Sequence, residues 1–503
     1  MSGRDLPPFR KLSEFLSFLE SEGDFQRFEA PVDIHLEATA LHRKVIAKGG
    51  PALQLTAPRK GSKSDFLAPL LVNLFGTRKR IANGLGIRPD KLPELGEFLA
   101  SLRSPQPPKS LREAYKLFPM AKAGLNTRPK RIGSNKALEP TDPDLCQLPV
   151  QTCWPDDAGP LITWGIVITR PPGADDPRTY NLGIYRMQVL GPKTAIIRWL
   201  PFRGGAQHYR KWQQKGDTMP VAIVIGCDPA TLLSAVIPAP GDVSELALAG
   251  IFNDTPSRLA PCRTIEMHVP ESAEIVLEGE IKPGEVALEG PFGDHTGYYN
   301  DAASYPVFHL NSMSLRKDPV YLSTFTGRAP DEPSVIGDAM TDIFRPILRQ
   351  AIPEIVDVFL PPATCSYRFA VLKIDKSYPG QARRAMMGFW SLLPQFSMTK
   401  YVIAVDGDID IRCWDDVMWA IATRSDPERD LLVLDRTPVD QLDFASPVEG
   451  LGGKLGIDAT IKIGAETTRS FAEKLTMPAE VEARADALFA GLQATSPAGR
   501  HIQ

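Results

Sequence analysis

Residues 161–169 read LITWGIVIT, a short run of β-branched and aromatic side chains with Gly-Pro before it and Arg-Pro-Pro after it. Such a run reads as a strand. Runs of the same kind recur at 194–200 (TAIIRWL), 221–226 (VAIVIG), 273–281 (AEIVLEGEI) and 320–326 (VYLSTFT), set apart by Gly, Pro or Asp turns. From about residue 145 to 330 the chain therefore predicts an antiparallel barrel or sandwich.

On either side the pattern changes. Downstream, a helix over 334–350 precedes strands IVDVFL (355–360) and FAVLKI (369–374). A helix over 381–393, strand YVIAVD (401–406), a helix over 414–423 and strand LLVLD (431–435) follow, an alternation that predicts an α/β layer domain. A last element, 478–492, carries Val481, Ala485, Leu488 and Leu492 on one helical face and needs cover, from its own domain or from a second subunit. Upstream, Leu12, Phe15, Leu16 and Leu19 stand at helical spacing and Gly23 stops the helix. A mixed region runs on to about 125, with connectors at 104–109 (SPQPPK) and around Arg128 (NTRPKR). The reading is an α+β, multidomain chain divided at 1–125, 126–330, 331–475 and 476–503.

With 503 residues, 43% hydrophobic and 23% charged, the chain is globular and too long for one ordinary core. Its net charge of −3 gives no basic excess for nucleic acid. The opening residues, MSGRDLPPFRKLSEF, lack a positive-then-apolar layout, and no apolar run approaches bilayer length. A cytoplasmic protein is expected, with peripheral membrane contact left open. Six dispersed cysteines form no CxxC and read as thiols in a reducing compartment. No GxGxxG, Walker or GxSxG motif occurs.

Three constellations could carry chemistry. EGPFGDHTGYY, 289–299, brackets Glu289 and Asp294 with glycines, and a turn there would set both acids on one side for proton transfer, beside His295. An ordinary hairpin with solvated acids fits the same residues. NLGIYRMQ, 181–188, offers the Asn181 amide and the Arg186 guanidinium, which can fork onto a carboxylate or lie on the surface. RWLPFRGGAQHYRKW, 198–212, places Arg198 and Arg203 around aromatic residues and a Gly-Gly pair, as suits a phosphate cradle or a solvated loop. Glu245 reads as a helix-start acid behind a Ser244 cap, or as a hard oxygen ligand. GCDPAT (226–231) reads as a helix cap and DGDID (406–410) as a solvated turn.

Taken together, GGPALQL, NLFGT, TCWPDDAGPLITWG, NLGIYR, PESAEIVLEG, EGPFGDHTGYYN, TGRAPDEP, MMGFWSLLPQF and DFASPVEGLGGKLGIDAT resemble the UbiD decarboxylase family, from about residue 11 to 470. The resemblance implies an N-terminal α/β region, a central split β-barrel that binds flavin, and a C-terminal α/β domain with a terminal helix at subunit contacts. It implies a homo-oligomer, dimer or hexamer, and a prenylated FMN supplied by a flavin prenyltransferase. The flavin phosphate would be held through Mn2+, with Mg2+ the alternative, and a K+ ion nearby. On the matching motifs it puts Asn181 and Glu245 on the metal. Ile184, Tyr185, Arg186, Arg198, Trp199, Leu200, Arg203 and Gly204 fall around the flavin, and Asp294, Glu289 and Arg186 form the acid/base network with Asp294 as proton donor. The implied reaction turns 4-hydroxy-3-polyprenylbenzoate into a 2-polyprenylphenol in ubiquinone biosynthesis. Another aromatic or heteroaromatic acid is the alternative, and a noncatalytic flavin-binding protein a third reading. One departure is Phe202, where relatives carry a histidine before RGGA; water, phosphate or His208 would complete that shell.

Overall fold

The structure, a computed structural model, describes residues 4–103, 118–201, 203–237, 244–393 and 396–495. The expected connector at 104–109 and Phe202 lie outside the described residues.

In the N-terminal part, α1 (Leu12–Ser21) buries Leu12, Phe15, Leu16 and Leu19, the face its spacing predicts. It leads into β1 (Phe25–Phe28), α2 (Glu37–Ala47), β2 (Ala52–Leu55), β3 (Leu70–Val72), α3 (Arg78–Gly84) and α4 (Leu92–Arg103).

The strand-rich middle forms one sheet: β4 (Leu161–Ile162), β5 (Gly165–Thr169), β6 (Asn181–Ile184), β7 (Met187–Gly191), β8 (Thr194–Ile197), β9 (Met219–Ile225), β10 (Ile275–Glu289) and β11 (Ala303–Arg316). Their order is β6-β5-β9-β10-β11-β8-β7-β4, with Leu138–Thr141 added on β11, and every pairing is antiparallel. Helices α5 (Gly204–Lys215), α6 (Pro229–Ser234) and α7 (Glu245–Phe252) are inserted between these strands. Only Tyr185 and Arg186 separate β6 from β7, which stand near opposite ends of this order. The three residue steps from Ile184 to Met187 span at most ~11 Å, so the sheet must curl until its margins nearly meet. The chain has the multidomain α/β architecture expected, with a curled antiparallel half-barrel at its centre.

Period-2 geometry explains the continuous apolar runs. Ile166 and Ile168 of β5 enter one core and Val167 enters the other, while Ala222 and Val224 of β9 oppose Val221, Ile223 and Ile225 in the same way. A sheet covered on both faces needs no polar alternation.

One run departs from the reading. Of residues 320–326 only β12 (Tyr321–Leu322) is strand, and it pairs in parallel with β3, completing the N-terminal sheet β1-β2-β3-β12 outside the barrel. β-Propensity marks a strand but not its partner.

After it, Asp331 caps α8 (Glu332–Ala351), which packs on α4. The C-terminal elements are β13 (Ile355–Phe359), β14 (Phe369–Ile374), α9 (Gln381–Leu392), β15 (Tyr401–Asp406), α10 (Trp414–Arg424), β16 (Leu431–Pro438) and β17 (Leu451–Ala459). Their sheet runs β13-β14-β15-β17-β16. Ala370, Leu372, Val402 and Ala404 face α9 through one core, while Val371, Ile403 and Val405 face α10 through another. The alternation therefore does build a layered α/β domain. The Asp-rich turn after β15 is no bare solvated loop: Asp406 and Asp408 hold the buried Arg424. The final helix, α11 (Ala479–Thr495), leaves Val481, Leu488 and Phe489 exposed, and among the described residues none covers the face that the sequence marks as apolar. The side chain of Leu492 lies outside the described residues. No helix among the described residues is long and apolar enough to cross a membrane.

At the α4–α8 crossing a Cβ on Gly96 would stand 2.5 Å from the backbone oxygen of Ile343. Gly96→Ala is expected to destabilise the protein by ~1–3 kcal/mol through overpacking, read as a lower urea midpoint; an unchanged midpoint would show that the helices separate freely.

Candidate active site

The break in the ladder at Tyr185 and Arg186 decides where the arginine goes. Freed from strand pairing, Arg186 reaches the end of β10 and forks onto Glu289, Nε to Oε1 at 2.7 Å and Nη2 to Oε2 at 3.0 Å. Its Nη1 donates to Asp294 Oδ2 at 2.6 Å and its Nη2 also to Asn300 Oδ1 at 2.9 Å. Both acids of the 289–299 stretch thus meet one guanidinium, the shared side that the glycine-bracketed turn predicts. Glu289 has no solvent exposure, so this is a buried ion pair.

The turn is fixed by backbone donors. Gly293 N–H donates to Asp157 Oδ1 at 2.9 Å, Phe292 N–H to Asn300 Oδ1 at 3.0 Å, and Gly290 N–H to Gln188 Oε1 at 3.0 Å. Gly293 has no room for a side chain, because Trp154 fills the space beside it.

On its other oxygen Asp294 accepts from the backbone N–H of His295 at 2.8 Å and pairs with its Nδ1 at 2.9 Å. The far nitrogen of His295 stands 3.6 Å from Asp440 Oδ2, an ion-pair distance beyond hydrogen-bond range, and Asp440 comes from the C-terminal domain. Asp440 is held by Tyr367 Oη at 3.0 Å and Leu442 N–H at 2.9 Å, with Arg368 Nη2 at 3.5 Å. Burial raises the Asp294 carboxyl, but the hydrogen bond from His295 and the charge of Arg186 outweigh it and bring it down to about 2. Burial lowers the His295 imidazole, yet Asp294 and Asp440 together hold it up at about 9.

Around this centre lie the other residues singled out above. Arg198 crosses the ring of Tyr305 at 5.7 Å and brings Nη1 to 3.8 Å from Asp294. Trp199 is buried edge-on to Tyr185 at 6.2 Å. The Tyr185 hydroxyl accepts from Gly205 N–H at 3.2 Å, and Asn181 Nδ2 stands 3.4 Å from it. Ile184 closes β6 opposite Ile166. The carbonyl of Leu200 takes the N–H of Arg203, which stands at the N-cap of α5, and a Cβ on Gly204 would collide with Asn181 Oδ1. Glu245 opens α7 behind the Ser244 cap and accepts from Leu182 N–H at 3.1 Å; burial raises its carboxyl. Asp228 caps α6 as read. His208 points Nδ1 at Thr169 Oγ1, 2.9 Å away, and burial drops its imidazole to about 4.

Arg198 Nη1 and Trp199 Nε1 are buried donors with no hydrogen-bond acceptor among the described residues, a fit for an acceptor-rich, anionic cofactor. Asn181 and Glu245 offer hard oxygen, the donor type of Mn2+ or Mg2+. Among the described residues no group of three or more His, Cys, Asp or Glu stands ready for a metal.

Asp440, Tyr367, Arg368, Asn300 and Asp157 were not foreseen. Asn300 and Asp157 belong to quoted motifs but were given no role there, and no local pattern ties Asp440 to His295.

Consecutive domain models of 3-octaprenyl-4-hydroxybenzoate carboxy-lyase match this chain: the N-terminal domain at 16–99, the Rift-related domain at 126–329 and the C-terminal domain at 334–459. Among solved structures, the UbiD-class enzyme HmfF from Pelotomaculum thermopropionicum, in complex with FMN, is 29% identical, with a TM-score of 0.76 over 94% of this chain and 98% of that one. An evolved dimeric form of that enzyme is solved with prFMN. Vanillic acid decarboxylase from Sedimentibacter hydroxybenzoicus, in closed form, is 24% identical with a TM-score of 0.80, covering 96% and 99% of the two chains. The apo 3,4-dihydroxybenzoic acid decarboxylase from Enterobacter cloacae is 22% identical with a TM-score of 0.73, over 95% and 99%. These matches, over a half-barrel carrying an arginine-locked acid pair, define a carboxy-lyase. The chain belongs to the UbiD family.

Removing the guanidinium strands a fully buried carboxylate. Arg186→Leu should cost ~3–5 kcal/mol, and Arg186→Lys, which cannot fork, should recover only part of it in urea titrations. The His295 imidazole, raised from 6.5 to about 9, contributes stability that is complete below pH 6.5 and is lost as pH rises through 9. Asp294, lowered from 3.8 to about 2, contributes stability that is lost as pH falls through 2. Urea midpoints should therefore decline between pH 7 and pH 10 in the wild type and decline less in His295→Gln; equal slopes would contradict the pairing.

Proposed function

We propose that this chain decarboxylates 4-hydroxy-3-polyprenylbenzoate to a 2-polyprenylphenol, with prenylated FMN as its resident cofactor and Asp294 as proton donor. The observation that carries the reading is the fork of Arg186 onto buried Glu289, which leaves Asp294 held at its open side.

Losing CO2 from an aromatic ring leaves an electron pair that no side chain can accept, and the prenylated flavin supplies the sink when bound. The protein's own residues do the rest. Arg198, Trp199 and the turn at Arg203 and Gly204 would hold the flavin beside Ile184, Tyr185, Arg186 and Leu200. Asn181 and Glu245 would hold Mn2+, or Mg2+, against the flavin phosphate, with K+ nearby. Arg186 and Glu289 fix the Asp294 carboxyl so that it can protonate the carbon that CO2 has left. The same side chain must be neutral at that instant, which its low pKa opposes.

Binding of FMN and prFMN by HmfF supports the cofactor. The name shared by the matched domain models supports a polyprenylated substrate. Tyr298, Phe444 and Val448 are exposed in the two loops that carry Asp294 and Asp440, and would offer apolar surface to an isoprenoid tail. Such a tail would bring the enzyme to a membrane surface. The exposed face of α11 would be covered by a second subunit in a dimer or hexamer, and a flavin prenyltransferase would supply the cofactor.

Protein loaded with prenylated FMN and Mn2+ should convert 4-hydroxy-3-prenylbenzoate to the phenol, followed by mass spectrometry, and plain FMN should not support turnover. Asp294→Asn should lose at least ~100-fold in kcat while retaining flavin absorbance. Product from Asp294→Asn at the wild-type rate removes Asp294 from the role of donor. Verified holo-protein inactive on this acid but active on vanillate or 3,4-dihydroxybenzoate would move the substrate to a smaller aromatic acid.

A further inference from the structure

Among the described residues, two hydrogen-bond the carboxylate oxygens of Asp294, and they are chemically unequal. Oδ2 is held by Arg186, whose guanidinium does not give up a proton. Oδ1 is held by His295, whose imidazolium can. A carboxylate that must become an acid once per turnover has a proton source on the Oδ1 side alone.

We infer that His295 stores the proton that Asp294 delivers, and that Asp440, reaching in from the C-terminal domain, holds the imidazole charged and aligned. The inference rests on the decarboxylase reading. His295 acts only through Asp294 and is a positioning residue in that sense. Its ring lies between two carboxylates, Asp294 at 2.9 Å and Asp440 at 3.6 Å, and only the cation can offer N–H to both. The other charged and titratable groups facing this line are Arg186 and Arg198 around Asp294, Tyr367 and Arg368 around Asp440, and Asp331 at the start of α8. The loop carrying Asp440 is itself anchored, because Lys454 Nζ donates to the carbonyl of Pro438 at 3.0 Å and to that of Thr399 at 3.1 Å.

The step balances without a further reagent. The Nδ1–H bond of His295 breaks as an O–H bond forms on Asp294. That O–H bond then breaks as its proton joins the electron pair left by CO2, forming C–H. Neutral His295 keeps its Nε2–H toward Asp440 and regains a proton from water at Nδ1, the nitrogen that gave one up. Each turnover thus consumes one solvent proton, as loss of CO2 from a carboxylate requires.

Holo-protein carrying His295→Gln should keep its flavin and hold KM within twofold, while kcat falls ~10–100-fold and the solvent deuterium isotope effect on kcat rises. Asp440→Asn should move the alkaline limb of the kcat–pH profile downward by a full unit or more. A wild-type kcat in His295→Gln, or an unmoved limb in Asp440→Asn, overturns the inference. A second readout is independent of turnover. In protein with labelled imidazoles, the His295 resonance is the one of seven histidines that disappears in His295→Gln. It should titrate near pH 9 and shift downward in Asp440→Asn. If the wild type releases no CO2 from the prenylbenzoate, the substrate assignment fails and this titration decides alone: a midpoint near 6.5, or one that ignores Asp440→Asn, overturns the inference.

Discussion

The fork between Arg186 and Glu289 is the contact on which the centre of the molecule depends. Arg186 sits in the two-residue link that joins the margins of the curled sheet, and Glu289 is the last residue of the long β10 strand. One buried ion pair therefore ties the seam of the half-barrel to the strand that delivers the acidic turn. Burying both charges is costly unless every lone pair and proton finds a partner. Here the guanidinium is shared among Glu289, Asp294 and Asn300, which satisfies that condition with geometry that only a planar, forked cation can provide.

From that contact the electrostatics of the site diverge. Asp294 lies between cations and is driven down, whereas Glu245, buried at the start of a helix with little beyond backbone N–H groups to receive, is driven up. Two carboxyls in one half-barrel thus favour opposite protonation states. Environment assigns their roles, as expected where acid chemistry and ligand binding share a fold. His208 is left neutral by burial and is turned toward Thr169.

Much of this could be read from the chain, and the reasons are local. β-Branched runs broken by Gly and Pro gave the half-barrel strands, and strict helical spacing gave the buried face of α1. Glycines around the two acids of the 289–299 stretch signalled a turn that would set them side by side, and they meet at one arginine. What escaped depends on distance along the chain. Tyr321–Leu322 looks like any other strand, and nothing in its composition says that its partner is Leu70–Leu71. Asp440 meets His295 only because the C-terminal sheet docks against the barrel, and its surroundings, TPVDQLDFASP, carry no mark of a distant imidazole. Local propensity and pattern report the conformation of a segment, whereas docking between domains is a property of the finished surface.

That placement of β12 bears on how the chain is made. The N-terminal sheet has three strands by residue 72, but its fourth is assembled from residues 321 and 322. At ribosomal speeds of ~5–20 residues per second, that strand emerges tens of seconds after β3. Throughout that interval the growing polypeptide carries β3 with one edge unpaired, the kind of edge that recruits foreign strands. The first segment to be synthesised is therefore among the last to be finished. Its maturation is set by translation of the entire barrel, so the nascent chain has a long period in which chaperones can engage it.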